Sequence, residues 1–388
     1  LSNTGVATVA DTSSEWYDYE TKQWANAVLV KKDATADVEG SQSREYYLNN
    51  PGAEILESDI LAYYVWIPRY KYQIWTIDAS TSTSPETINI VFEDSSTTKS
   101  VGTSVGQYLT HSAFTFGTQE LNGIWVGKFE TSGSATAPTV LPNVSSLRSQ
   151  NVSTQFTTSL KFAGDTLTNG TVSFDGNDTY GLTTKSDSHM MKNSEWGAVA
   201  YLSHSQYGIN SEIYINNSSE FYTGRSGGNV GGSVNSLSTQ FGSGSTSTQY
   251  NPYGYYTWTG QAIGSDGAIG EITDSTFGTK ASTTGNITGV YDMSGGAYEY
   301  VMANYAQKVG SSDFTTLPNS KYYDLYNITS VSSCTLDSCG GDALFETASW
   351  YSDYARFVSS GYPWFLRGGY FAFADAGAFN SITDNGDA

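Results

Sequence analysis

The residue placed most suggestively for chemistry is Glu299. In Ala297 to Met302, Ala297, Glu299 and Val301 alternate with Tyr298, Tyr300 and Met302. That period-two pattern predicts a strand with the carboxylate on the face opposite two tyrosines. A carboxylate buried among aromatics has to be matched by a metal ion, an arginine or backbone N–H groups. Arg367 faces the same requirement in reverse. It stands in Trp364-Phe365-Leu366-Arg367-Gly368-Gly369, an apolar strand running into a diglycine. A guanidinium there needs a carboxylate or carbonyls, and Glu299 or Asp292 can serve. Ahead of Glu299, Ile287 to Tyr291 reads as a short apolar strand and Asp292 to Gly296 as a turn. The Asp292 side chain is expected to cap that turn, and Gly295 and Gly296 permit positive φ.

Other nucleophiles and ligands are sparse. Cys334 and Cys339 lie close together and suit a local disulfide, as in an exported protein. Free thiols and a two-cysteine metal site are the alternatives, the latter without a nearby histidine, since His111, His189 and His204 are remote in sequence. Gly224-Arg225-Ser226-Gly227-Gly228 matches a nucleophile elbow by letter. It lacks the preceding apolar strand and the following helix, so the context fails.

The composition sets the background. Aromatics are 14% of the 388 residues, led by 29 tyrosines, while charged residues are only 14%. With abundant Ser, Thr, Asn and Gly, this is the profile of a β-rich, loop-rich extracellular protein. The net charge of −20 argues against nucleic acid and anionic membranes as partners. It suits divalent cations, and also simple solubility. No apolar run is long enough to span a membrane. No signal peptide is visible, and a first residue other than methionine suggests a processed or trimmed piece.

The elements that must position these residues are mostly short strands. Glu15 to Tyr19 and Gln23 to Val30 read as strands around a turn at Glu20 to Lys22. A helical turn is expected over Ala53 to Asp59, and Leu61 to Trp75 as a bent strand pair broken at Pro68. Thr87 to Phe92, His111 to Phe116 and Ile124 to Glu130 follow as strands. A helix is expected within Ser145 to Ser159 and a hairpin within Leu160 to Thr179. Ser188 to Ser203 is the strongest helix, capped by Asn193 or Ser194 and apolar at Trp196, Val199 and Ala200. Thr223 to Thr248 is a low-complexity surface excursion. Aromatics return at Asn251 to Trp258.

Two stretches together carry a resemblance. Gly289, Tyr291, Asp292, Met293, Gly295 and Glu299, followed by Leu366, Arg367, Gly368 and Gly369, are similar to the formylglycine-generating-enzyme branch of the C-type-lectin-like fold. That family carries Gly-Leu-Tyr-Asp-Met-x-Gly-Asn-Val-x-Glu-Trp, then Leu-Arg-Gly-Gly-Ser. The resemblance implies an α+β C-type-lectin-like domain over residues 58–388, with residues 1–57 as an extension of short strands. The extension resembles, more loosely, the segment after a prepilin-type helix in surface proteins of Gram-positive gut bacteria. The resemblance also implies that the chain stops at a turn, Asp384 to Ala388, before the family's last core strand.

The family's oxidases hold copper through a cysteine pair after the Leu-Arg-Gly-Gly stretch. Here Tyr370 to Ala388 contains neither Cys nor His, and both cysteines come earlier, so no enzyme activity is expected. The three dispersed histidines equally disfavour the fold's iron-dependent branch. In the family the glutamate matching Glu299 helps hold a structural calcium. Here Gly296 replaces an asparagine ligand, and backbone N–H groups or Arg367 are the alternative partners of Glu299.

The final segment is the expected ligand surface. Its aromatics and small residues, with Asn, Ser and Asp, have the chemistry of recognition loops. It resembles the variable proteins of diversity-generating retroelements, which place mutable residues after the Arg-Gly-Gly stretch. The resemblance implies a ligand-binding set of Tyr370, Phe371, Phe373, Asp375, Asn380, Ile382, Asp384 and Asn385. Aromatics of a neighbouring loop, Tyr253 to Trp258, would extend it. The expected function is that of a non-catalytic adhesin or receptor-binding protein on a bacterial surface or phage particle, binding a protein or carbohydrate ligand. A structural pilin-like subunit is the alternative.

Overall fold

The computed structural model describes residues 7–9, 15–74, 84–102, 106–216, 218, 220–224, 249–251, 255–257, 261–263, 269–271, 278–371 and 376–388. Residues 253, 254 and 258 of the expected aromatic loop lie outside them, and so do Phe373 and Asp375.

The first sheet is antiparallel, in the order β1 (Asn26–Val30), β2 (Ile60–Pro68), β5 (Gly123–Gly127). Tyr63, Val65 and Ile67 of β2 point into the core and are fully buried, as its alternating pattern requires. Pro68 has no N–H to give a ladder, and the chain bends there. It continues as β3 (Tyr70–Gln73), which pairs with β4 (Asn89–Phe92) and with Leu109–Thr110 in a second sheet. The expected bent strand pair is this one. At the bend, Arg69 is buried and meets Glu120 at 2.5 Å. The segment before residue 57 is tied to the body through β1, and buried Trp24 donates its indole N–H to the Tyr207 carbonyl at 2.8 Å.

The hairpin expected after Leu160 is formed by β6 (Asp165–Thr168) and β7 (Thr171–Phe174). Its two turn residues, Asn169 and Gly170, both have positive φ, as a two-residue hairpin loop demands. A third sheet has the order β9 (Asp324–Tyr326), β8 (Glu299–Tyr305), β10 (Trp364–Arg367), β11 (Ser381–Asp384). Only β8 and β9 run parallel.

Among the described residues, besides the short α1 (Arg44–Asn49) and a one-turn helix at Leu336–Cys339, two longer helices sit among the sheets. In α2 (Val152–Leu160) the Asn151 side chain caps the Thr154 N–H at 2.9 Å. It begins later than the Ser145 expected. In α3 (Asn193–Ser203) every residue is buried. Its N-cap is Lys192 rather than Asn193 or Ser194, and the Glu195 carboxylate accepts the Lys192 N–H at 2.8 Å. Both expected caps lie inside the helix: the Asn193 side chain donates to the Tyr326 hydroxyl at 2.9 Å, and the Ser194 N–H of the first turn is met by a neighbour, Asp324, at 2.7 Å.

Three further expectations fail. His111 to Phe116 is not one strand, because a 3-10 turn at Ser112–Phe114 precedes the two-residue strand Thr115–Phe116. Ile287 to Tyr291 is not a strand. Its carbonyls at Ile287 and Gly289 accept hydrogen bonds from the buried Lys128 ammonium group at 2.5 and 3.0 Å, so a side chain does the work of a ladder. Glu15 to Tyr19 is also not a strand and ends in a 3-10 turn at Tyr19–Thr21. The architecture is mixed α+β with few helices and small sheets. Cys334 and Cys339 form a disulfide, with Cα atoms 5.7 Å apart. Among the described residues no helix is long and apolar enough to cross a membrane.

Candidate functional site

A cleft of about 710 Å³ opens between the β5 edge of the first sheet and the start of β8 in the third. Trp125 and Gly127 stand on one side, and Tyr298, Glu299, Tyr300 and Leu366 on the other.

One mouth of the cleft is aromatic. Tyr298 and Tyr370 stack with ring centres 5.7 Å apart and planes 17° apart. Phe371 meets Phe221 edge-on at 5.0 Å, and the Arg148 guanidinium lies 3.7 Å from the centre of the Phe221 ring. Backbone geometry sets this cluster. Gly368 and Gly369 follow β10 with φ of 77° and 85°. A Cβ on Gly369 would stand 2.5 Å from the Ala376 Cα, so the turn has room only for glycine. The turn is clamped to its counterpart before β8. Gly295 donates to the Gly368 carbonyl at 3.0 Å, and Phe371 donates to the Gly296 carbonyl at 2.9 Å. Gly295 and Gly296 have the positive φ expected of them.

The expected ligand-binding set is dispersed. Tyr370 lines the mouth, Phe371 stands beside it against Phe221, and both are half-buried. Asn380 is a correction, because it is only 2% exposed and cannot present its side chain to a ligand. The chain re-enters the sheet there. Ser381–Asp384 pairs with β10 as strand β11, with Ile382 opposite Leu366. Sheet pairing, rather than a solvent loop, claims this stretch. Asp384 reaches the far end of the cleft beside Tyr300, and Asn385 donates to the Ser311 hydroxyl at 2.7 Å instead.

Three carboxylates gather at the back of the cleft. Asp292 does not cap its own turn. It accepts hydrogen bonds from the Asn216 side chain at 2.9 Å, from the Gly224 N–H at 2.9 Å and from the Glu130 N–H at 3.3 Å. Glu130 accepts the Ala297 N–H at 2.9 Å and the Ser146 hydroxyl. Glu299 keeps one buried oxygen, Oε2, with no hydrogen-bond partner among the described residues. Burial pushes all three toward the protonated form, and their mutual repulsion adds to it for Glu130 and Glu299. Asp292 rises to about 6, Glu130 to about 8, and Glu299 well above the usual carboxylate range.

Arg367 does not join them. It stands opposite Glu299 in the β8–β10 register, yet its guanidinium lies over the Trp196 ring at 5.7 Å and donates to the carbonyls of Ala343 and Ala378 at 3.1 and 3.3 Å. Burial lowers it to about 10, offset in part by Asp342. The pairing of Arg367 with Glu299 or Asp292 is thereby corrected. The physical reason is that the Arg367 side chain turns to the Trp196 ring of α3, where the carbonyls of Ala343 and Ala378 meet its donors.

A calcium ion takes six to eight oxygen ligands. Among the described residues, no three His, Cys, Asp or Glu side chains converge to hold a metal. Asp292 is already committed to N–H donors, which leaves Glu299 Oε2 as the open ligand of the trio. Glu130 was not singled out from sequence. Its only signal was its place in Lys128-Phe129-Glu130, just past an expected strand, and nothing local says that it meets a turn some 160 residues later.

No protein-family model matches the chain, and no curated protein matches it.

Proposed function

We propose that this chain is a non-catalytic ligand-binding protein, and that its ligand surface is the aromatic mouth formed by Tyr298, Tyr370, Phe371 and Phe221. The observation that carries this reading is the Tyr298–Tyr370 stack, held by two interlocked diglycine turns. Rigid aromatics on a clamped turn lose little conformational entropy on binding, which is how recognition surfaces gain affinity. The finer reading is a C-type-lectin-like domain of the formylglycine-generating-enzyme branch. Its residues after Arg-Gly-Gly would be varied by a diversity-generating retroelement, and it would be displayed on a bacterial surface or phage to bind a protein or carbohydrate. A non-catalytic role is supported by the tie between Cys334 and Cys339, which leaves neither as a free ligand for copper.

The test is binding to glycan and protein arrays by the wild type and by Tyr370→Ala and Phe371→Ala variants, with thermal midpoints as a folding control. A specific hit lost in both variants at an unchanged midpoint supports the reading. Hits that survive both substitutions would falsify it. Concentration-dependent filaments without any array hit would favour the structural-subunit alternative.

A further inference from the structure

The cleft has a feature that the aromatic mouth does not use. Lys128 donates its N–H to the Tyr63 carbonyl at 2.9 Å, which fixes the phase of the β2–β5 ladder. In an antiparallel pair the bonding side alternates residue by residue. Trp125 and Gly127 therefore turn their N–H and C=O groups away from β2, toward the cleft. Among the described residues β5 is the last strand on that side of its sheet. An edge with unpaired backbone groups is a template for another strand. Trp125 beside it is 46% exposed, unusual for a tryptophan on a strand.

The chemistry of the opposite side says what kind of strand fits. The cleft is lined by Glu130, Glu195, Glu299, Asp187, Asp384 and Asp387 against Arg148, Lys185 and His189 as basic groups. Glu195 is already matched by His189 at 3.1 Å, and Asp187 by Lys321 at 3.0 Å. Glu299 keeps its buried oxygen unpartnered among the described residues. A cationic side chain there would supply the missing donor and relieve the repulsion among Glu130, Asp292 and Glu299.

We propose that the cleft binds an extended peptide segment of a partner protein by strand addition to the β5 edge, and that the segment carries apolar side chains on alternate positions and an arginine or lysine facing Glu299. Main-chain hydrogen bonds to Trp125 and Gly127 supply affinity, and the cation supplies selection. The proposal stands independently of the aromatic mouth as a ligand surface.

The probe is a synthetic peptide of about seven residues, a common strand length, with alternating valine and threonine and a central arginine. It is titrated into the intact chain by calorimetry, and amide hydrogen exchange is followed at Trp125 and Gly127. Binding with slowed exchange at those two amides is expected. Replacing the arginine by glutamate should weaken binding about tenfold or more, the scale of one charge-assisted hydrogen bond. Glu299→Gln should remove most of that preference, while its affinity for a version of the peptide with threonine in place of the arginine stays that of the wild type. N-methylation on one set of alternate peptide nitrogens should abolish binding and on the other set should not. Equal loss from both sets overturns strand addition. Absence of binding, or exchange at Trp125 and Gly127 already slowed by raising protein concentration alone, overturns the partner segment, and the second result assigns the edge to another copy of the chain.

Discussion

Tyr370 and Tyr298 stack across the seam between two diglycine turns, one before β8 and one after β10. The contact couples the segment after Arg367 to the strand that bears Glu299. A ligand pressed on the aromatic mouth therefore presses on the wall of the acidic cleft.

The turn that makes this stack should tolerate no side chain. Gly369→Ala places a Cβ 2.5 Å from the Ala376 Cα at a φ of 85°. A loss of about 2 kcal/mol or more is expected from strain and overlap. Gly361→Ala is the control, with nothing within 4 Å of its Cβ, and should be near neutral. Chemical denaturation of the two variants makes the comparison, and equal stabilities would count against the clamped turn.

The buried carboxylates predict a pH dependence of defined sign. Glu299 is held well above the usual carboxylate range in the folded chain. Between its unfolded value near 4.5 and that raised value, the folded state binds the extra proton, so stability falls as pH rises. Glu130, raised to about 8, acts in the same direction. Lys128, lowered by burial, acts in the opposite one. The difference between variants isolates the effect: Glu299→Gln should gain on the wild type by up to about 1 kcal/mol for each pH unit between pH 6 and 8. A difference that does not move with pH would show that Glu299 is ionised and matched.

The histidines give a second, lower window. Burial depresses His111 to about 3 and His204 to about 4. The unfolded chain then takes up protons first, and stability falls as pH drops below about 6.5. His111→Phe should flatten that acid limb. Denaturation midpoints from pH 7 to pH 4 provide the check.

Lys128 should act as a structural tether. Lys128→Met leaves the Asn26 side-chain oxygen and the carbonyls of Ile287 and Gly289 without their common donor. Orphaned buried acceptors predict a loss of about 3 kcal/mol. Hydrogen exchange should rise first across residues 286–292, and uniform acceleration over the whole chain would argue against a local tether.

Opening the Cys334–Cys339 disulfide releases a loop of sequence separation 5. Loop entropy predicts a loss of about 2 kcal/mol. Cys334→Ser with Cys339→Ser, measured against the oxidised protein by thermal unfolding, reads it directly.

Local chemistry was legible where local chemistry decided. The Asn169-Gly170 turn needs positive φ at two adjacent residues, and only a few residue types allow that, so the hairpin could be read from the sequence. The break at Pro68, the positive φ of Gly295 and Gly296, the α3 helix and the possible disulfide were legible for the same reason. Burial of a whole element was not. Every residue of α3 is covered, so the Ser194 N–H of its first turn is met by Asp324, outside any local window. The Ile287 to Tyr291 stretch has a strand's composition but is pinned by Lys128 from a distant strand. Asn380 has the character of a recognition loop, and pairing of the next residues with β10 buried it. The meeting of Glu130, Asp292 and Glu299 follows from contacts between residues as much as 167 positions apart, and the turning of Arg367 away from them from its contacts with Trp196, Ala343 and Ala378. A side chain's type limits the partners it needs, but only the closed tertiary structure, where burial fixes the cost of leaving them unmet, decides which partners it receives.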